Sequence, residues 1–411
     1  MRTQLWTVTA ALLLACPAGL RAQTWTPSVG LEVKESYDDN VLLQDYGHQA
    51  RRKSWVTTVI PTVGATFQPG ASLKAVLTYA PEVARYHAES SENHVAHRWT
   101  VNLSGKAGET AWEVPSSLVW IDGSEFGPSF TGAGSVPALG GIPVRDRRNA
   151  LIFRNGFKAM HPMGRAFIRP LFNSYVHEFK TLQFNPAGYR TGYENYVDRY
   201  ELSGGFDAGY EAFDKTRLFL GYRVGRQQQS ELLGVRSPYS NIYQRALAGA
   251  EGTPAEWVKL SLLAGPDFRQ FPNGTATGFS ARPTLLFYDA SITLLPTMGD
   301  TVVLSSKRFA QPAFSSHSVY EDVVHDFNWK HKFGDKVTAG YAFRMYGGFW
   351  RQPVQRRDYV CTSTISLGVA IRKGLAADLA YVRDWATSAV FNTSGREFKR
   401  HLVTGGLRLS L

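Results

Sequence analysis

The chain alternates. Over residues 200–210, Tyr200, Leu202, Phe206, Ala208 and Tyr210 fall on one face of an extended segment, and Glu201, Ser203, Gly205, Asp207 and Gly209 on the other. A short polar turn at Asp214 and Lys215 follows. The next run sets Leu218, Leu220, Tyr222 and Val224 against Arg217, Gly221, Arg223 and Gly225. Period-two alternation on both sides of a tight turn predicts a β-hairpin. The polar face is small, glycine-rich and charged, while the apolar face ends in tyrosines. A soluble sandwich buries its apolar faces in a shared core; a membrane barrel turns them outward and wets or fills its inside.

The unit recurs along the chain. Val29, Leu31 and Val33 alternate with Gly30, Glu32 and Lys34. Trp99, Val101 and Leu103 oppose Arg98, Thr100, Asn102 and Ser104. Val337, Ala339, Tyr341, Phe343 and Met345 oppose Thr338, Gly340 and Arg344, and the chain closes on Val403, Gly405, Leu407, Leu409 and Leu411. Two segments alternate poorly, near Ile242 and near Thr301. Pro61, Pro115 and Pro170 fall inside strands, where proline belongs at edges or bulges. The connections alternate too. Gln68-Pro69-Gly70, Lys106 to Glu109, His161 to Gly164 and Arg372-Lys373-Gly374 are tight turns, whereas the intervening connections are longer and more variable, up to the Gly/Ser/Pro-rich residues 123–146. The pattern predicts an all-β, transmembrane, antiparallel up-and-down β-barrel of about 18 strands, with 16 as the alternative, short periplasmic turns, longer extracellular loops and both termini periplasmic.

Composition sharpens this. Arg2 precedes a short apolar run, Leu5 to Ala15, and Pro17, Gly19 and Ala22 follow, as in a secretory signal cut after Ala22. That leaves residues 23–411 as the barrel domain. It lowers the net charge from +11 to +9, with 43 basic residues against 34 acidic ones. Leu13-Leu14-Ala15-Cys16 also resembles a lipobox, which offers lipidation at Cys16 as the alternative processing. Beyond the signal only Cys361 remains, so an intramolecular disulfide is excluded. Aromatic residues make up 13% of the chain, and no long apolar run forms a transmembrane helix. Trp55, Trp99, Trp112, Trp120, Trp257, Trp329 and Trp385 suit the two aromatic girdles of a barrel.

The segment Leu31-Glu32-Val33-Lys34-Glu35-Ser36-Tyr37-Asp38-Asp39-Asn40-Val41, the run Tyr79-Ala80-Pro81-Glu82 with the downstream Tyr86, and the closing alternation resemble the "putative beta-barrel porin 2" group of bacterial outer-membrane proteins. The motifs are loose but span most of the mature chain. The resemblance implies an outer-membrane barrel and no particular substrate; some similar barrels are thought to serve polysaccharide secretion. The last strand also resembles the signal that the barrel-assembly machinery reads, except that it ends in Leu411 where such strands usually end in phenylalanine.

Alternation places Lys74, Arg98, Arg154, Lys158, Arg169, Arg199, Arg217, Arg223, Lys259 and Arg344 toward the lumen, joined by Glu32, Glu113, Glu201, Asp207, Asp322 and Asp378. Two readings follow. A wet channel with a cationic bias would pass small or linear polar solutes, anionic ones among them, since rings of Arg and Lys favour anions. Alternatively the charges pair across strands. Arg51, Arg52, Arg145, Arg147, Arg148, Arg356 and Arg357, in the outer loops, suit the anionic headgroups of outer-membrane lipid and lipopolysaccharide. Asp38-Asp39-Asn40 could hold a hard cation or simply open a solvated loop. His325-Asp326 could be an acid–base pair, although no serine or second carboxylate can be placed beside it. No zinc-type spacing or phosphate loop implies a cofactor, and basic residues spread through strands do not make a nucleic-acid patch. The expected function is a porin-like channel rather than an enzyme. Its rival is a barrel that docks a periplasmic partner for polysaccharide export.

Overall fold

A computed structural model describes residues 25–45, 50–70, 72–127, 145–184, 195–274, 277–314, 317–351, 355–390 and 397–411. The proposed signal, residues 1–22, and most of the long loop 123–146 lie outside the described residues. The first strands are Trp25–Asp38 (β1), Ser54–Gly70 (β2), Leu73–Tyr79 (β3), Glu82–Tyr86 (β4), His94–Ala107 (β5), Thr110–Asp122 (β6), Ala150–Met163 (β7), Ala166–Phe179 (β8) and Arg199–Phe213 (β9). There follow Thr216–Gln229 (β10), Asn241–Ala255 (β11), Val258–Gln270 (β12), Thr284–Leu294 (β13), Asp300–Pro312 (β14), Val319–Phe333 (β15), Val337–Trp350 (β16), Arg356–Arg372 (β17), Leu375–Val390 (β18) and Phe398–Ser410 (β19). With β3 and β4 taken together, each strand pairs antiparallel with its sequence neighbours, and β1 pairs with β19, so the sheet closes.

The barrel has 18 crossings, because β3 and β4 are two halves of one strand. Val63↔Tyr79 and Val59↔Val83 lie on a single register against β2, as do Tyr79↔Trp99 and Glu82↔Ala96 against β5. The ladder breaks only at Ala80-Pro81. On that register Pro61 faces Pro81, so two residues lacking an N–H meet at one gap. Pro115 and Pro266 likewise sit where the β6–β7 and β11–β12 ladders skip residues. The chain thus accommodates strand prolines by concentrating them at interruptions.

At one end of the barrel the connections run from two to five residues, while at the other they run from five to 27. The first is the turn end, where β1 starts and β19 finishes; the second is the loop end. Gly108, Gly164, Gly334 and Gly374 take positive φ in the tight turns, a conformation open to glycine at little cost.

The outer face is apolar. Val29, Leu31, Val33, Leu202, Phe206, Leu218, Leu220, Ile365, Leu379 and Leu407 are all exposed there. At the turn end it carries Trp25 against Phe67, and at the loop end Tyr37 against Trp55. Cys361 also faces outward, opposite Met345 and Trp385. A belt of apolar side chains edged by aromatic residues on a closed sheet is the surface of a membrane-spanning barrel.

The inner face explains the two poorly patterned strands. In β11 the inward positions include Tyr243 and Leu247, both buried, beside Asn241 and Arg245; in β14 they include Val303 and Phe309 beside Ser305 and Lys307, and the neighbouring β13 turns Leu285 and Phe287 inward. Large apolar side chains inside the barrel blur the alternation that marks the other strands. Phe219 is one of these. It packs where Gly249 has no side chain; a Cβ there would come 2.6 Å from Phe219 Cε2.

Candidate functional site

Register places all ten basic candidates on the inner face, but they are not equivalent. Toward the turn end, Asp207 is buried and receives Arg169 Nε at 2.8 Å and Arg223 Nη2 at 2.5 Å. Arg169 also reaches Glu251 at 2.7 Å, with Arg217 3.7 Å from the same carboxylate. Arg169 Cζ lies 4.7 Å from the Phe219 ring centroid and 5.5 Å from that of Phe167, within cation–π range. Arg98 pairs with Glu82, Lys158 with Glu113 and Arg344 with Asp326. Lys74 and Lys259 are exposed inside the turn end, without an acidic partner among the described residues. Arg154 lies against Tyr175, and buried Arg199 donates to Pro312 O at 2.9 Å. The ten inward side chains thus differ in how open they are to the lumen. Arg169, Arg199 and Arg223 are packed into the inner wall, where a carboxylate, a carbonyl or an aromatic ring takes up each guanidinium.

A second wall cluster centres on Asp267, which pairs with Arg245 at 3.0 Å and Arg269 at 2.9 Å. Arg269 also donates to Gln227 Oε1, Asn241 Oδ1 and Ala310 O. Arg245 lies 4.2 Å from the Tyr243 ring and 4.3 Å from that of Phe287. Sequence alternation missed Arg245 because β11 alternates poorly, and Arg269 because it stands near the loop end of β12, beyond the Val258 to Leu262 stretch that carries the pattern.

Toward the loop end, connecting segments fold into the mouth. Residues 41–43 pack on Val56, Ala84 and Tyr86 and on Ala386 and Phe398. Tyr196 and Phe314 join Val119, Ile121, Ile152 and Phe179 in one cluster. Between these inserts and the wall lies a cavity of about 860 Å³. Its lining includes Arg145, Arg154, Arg199, Lys307, Arg344 and Arg400 against Glu201, Asp322 and Asp384, with Tyr175, Phe314, Tyr320 and Tyr346 among the aromatic rings. Arg145 Cζ stands 4.0 Å and Arg199 Cζ 3.6 Å from the Phe314 ring centroid. Tyr243 donates to Glu201 at 2.7 Å, and Gln311 bonds to Asp322. Burial works against the Arg145 charge, but Asp146 and neighbouring tyrosines outweigh it and hold its pKa above the ordinary arginine value.

The loop arginines also divide. Arg145 lines the cavity, and Arg147 and Arg148 are buried against Glu92, which Arg148 Nη2 contacts at 2.8 and 2.9 Å. Arg356 is buried beside Asp358. Arg147, Arg148 and Arg356 are thus buried side chains and not the freely exposed loop cations that local composition suggests. The Asp38-Asp39-Asn40 step is neither a cation site nor a solvated loop. Asp38 is buried and takes Arg400 Nε at 3.0 Å and Nη2 at 2.7 Å, Asp39 accepts the His401 N–H, and Asn40 donates to Lys399 O. Among the described residues no group of three or more His, Cys, Asp or Glu side chains could hold a metal ion. His325 and Asp326 point to opposite faces. His325 Nδ1 meets Ser306 Oγ at 2.9 Å on the outside, while Asp326 binds Arg344 inside. They cannot act on one substrate.

His317, in the β14–β15 loop, is held below its ordinary pKa by burial, with Nε2 3.3 Å from Ser230 O. The docked loop binds fewer protons than the undocked one near the ordinary histidine value of about 6.5, so docking is strongest above that value and weakens as pH falls below it. Proteolysis of this loop is expected to be faster at pH 5 than at pH 8. His317→Gln should flatten the difference.

No family model matches the chain, and no curated protein matches it in sequence. Among solved structures, the outer membrane protein OpdK from Pseudomonas aeruginosa aligns at 10% identity and a TM-score of 0.43, over 94% of this chain and 99% of that one. Pseudomonas aeruginosa OccK2 (OpdF) in complex with glucuronate aligns at 11% and 0.46, over 95% and 99%. Acinetobacter baumannii OccAB3 aligns at 11% and 0.42, over 94% and 99%. Likenesses this distant say nothing of what this barrel carries, and its fold rests on its own register.

Proposed function

We propose that the chain is an outer-membrane channel passing small or linear polar solutes, with a preference for anions. The carrying observation lies in the central cavity, where Arg154 and Arg199 have no acidic partner among the described residues, whereas Lys307, Arg344 and Arg400 are paired with Asp289, Asp326 and Asp38. Guanidiniums without a carboxylate partner in a narrow aqueous passage raise the local anion concentration. On this reading the segment up to Ala22 is a removed signal and residues 23–411 form the barrel. The turn end with both termini faces the periplasm, and the loops face outward among lipid and lipopolysaccharide. The barrel-assembly machinery inserts the chain through its last strand. Kinship with the "putative beta-barrel porin 2" group is part of this proposal and rests on the residues that resemble it. The role is transport, with no catalytic step.

The test is reconstitution of the mature protein in a planar bilayer and measurement of the reversal potential in a salt gradient. An anion-selective current is expected. Arg154→Gln with Lys307→Gln should lower the anion-to-cation permeability ratio by about twofold or more. Cation selectivity in the unaltered protein would overturn the proposal. A second reading draws on the inserts that narrow the mouth. In it the barrel is a partner-dependent component of polysaccharide export, silent alone and conducting only once a periplasmic partner docks.

A further inference from the structure

We infer that the loop end carries, on its lipid-facing side, a binding site for the phosphorylated headgroup of an outer-leaflet glycolipid. This rests on the orientation proposed above. Register sets one row across the outer wall, running Tyr288, Arg308, Val323, Gly347 and Tyr359. All five positions face away from the lumen. Tyr359 is exposed and meets Phe349 edge-on, as expected of an aromatic girdle at the water interface. Arg308 lies at that level, and Arg351 and Arg357 lie beyond it toward the loops.

Together with Glu321, Tyr288 and Phe349, these three arginines border a cavity of about 780 Å³, which the buried Arg356 also lines. Glu321 is buried and serves both neighbours. Arg308 places Nε at 3.0 Å and Nη2 at 2.6 Å from Oε2, and Arg351 bonds to Oε1. One carboxylate thus fixes two guanidiniums while neutralising a single charge, and both remain about a third exposed, at 34% and 37%. Arg357 is exposed and has no acidic partner among the described residues. The result is a pre-oriented cationic pocket above an apolar, aromatic wall.

A free anion would use only the upper part of this arrangement. A glycolipid phosphate would use all of it, because its headgroup meets the fork-shaped donors while its acyl chains lie along Val323 and the girdle below. Arginine also suits this level, since its stem packs on apolar surface while its head stays at the interface.

The test uses the full mature barrel in mild detergent and native mass spectrometry with two probes: lipid A carrying both phosphates, and the same lipid with the phosphates removed. The barrel should retain the phosphorylated probe. Retention should fall by about tenfold for the dephosphorylated lipid and for the triple variant R308Q/R351Q/R357Q. Equal retention of the two probes, or undiminished retention by the triple variant, overturns the inference. Should the triple variant fail to fold, as read by heat-modifiable gel mobility, R357Q decides. It touches no ion pair and should still weaken retention, and wild-type behaviour would overturn the site. R236Q, on the exposed β10–β11 loop, should leave retention unchanged. A barrel that conducts anions but ignores the phosphates fails this inference alone, whereas one that does not fractionate with the outer membrane fails the channel reading's location.

Discussion

Asp207→Ala should be among the most destabilising single substitutions in the barrel, costing about 3–5 kcal/mol, as expected when one partner of a buried ion pair is removed and the other stays buried. Asp207 is 1% exposed and holds two guanidiniums, those of Arg169 and Arg223, which are themselves nearly buried. Arg169 keeps Glu251 after the change, but Arg223 Nη2 loses its only carboxylate and retains carbonyl contacts through Nη1 alone. The control is Asp289→Ala. Its pair with Lys307 is about half exposed, 47% on each side, and its loss should cost at most about 1 kcal/mol. Urea titration of both variants in lipid vesicles separates the two cases. A difference below about 1 kcal/mol would mean that water reaches the Asp207 cluster and that its arginines are screened.

The same contrast explains what could be read in the sequence. Hairpin β9–β10 was legible because its outer residues, Leu202, Phe206, Tyr210, Leu218 and Leu220, meet a uniformly apolar surroundings and its inner ones are small or charged. Where the inner wall is packed with large apolar side chains, as at Tyr243, Leu247 and Phe287, both faces read as apolar and the period fades. Arg245 was lost with it, although its Asp267 cluster is as buried as that around Asp207. Alternation gives the side of the sheet on which a side chain stands. It does not give its neighbours around the circumference, so Arg169 and Lys259 looked alike until strands far apart in sequence were closed into a ring. The loops were least legible. Arg145, Arg147, Arg148 and Arg356 read as surface cations by local composition. Three of them end buried, against acids as distant in sequence as Glu92 or as near as Asp358, and Arg145 enters the lumen.

Glu92→Ala should open the loop end while leaving the barrel wall intact. Glu92 is 3% exposed, and its carboxylate faces Arg148 at 2.8 Å and Arg147 at 3.3 Å. Arg147 in turn donates to Val41 O at 2.6 Å, so the acid fastens two inserts at once, the end of the 123–149 loop and the 39–53 loop. Without it two guanidiniums remain buried, Arg148 with no acidic partner among the described residues and Arg147 with only the electrostatic pull of Asp38, a penalty of about 3–5 kcal/mol that the chain can escape only by undocking those segments. An undocked population larger by at least about a hundredfold follows from that range. The strands, held by their neighbours on both sides around the closed sheet, do not share the loss. Trypsin should therefore cut after Arg147 or Arg148 in the variant and not in the parent, while heat-modifiable mobility stays unchanged. Single-channel conductance should rise, because the residues that narrow the mouth are those the ion pair holds in place. If cleavage appears without a rise in conductance, the narrowest part of the passage lies deeper, at the wall where Arg154, Arg199 and Lys307 meet Glu201 and Asp322, and selectivity is set there.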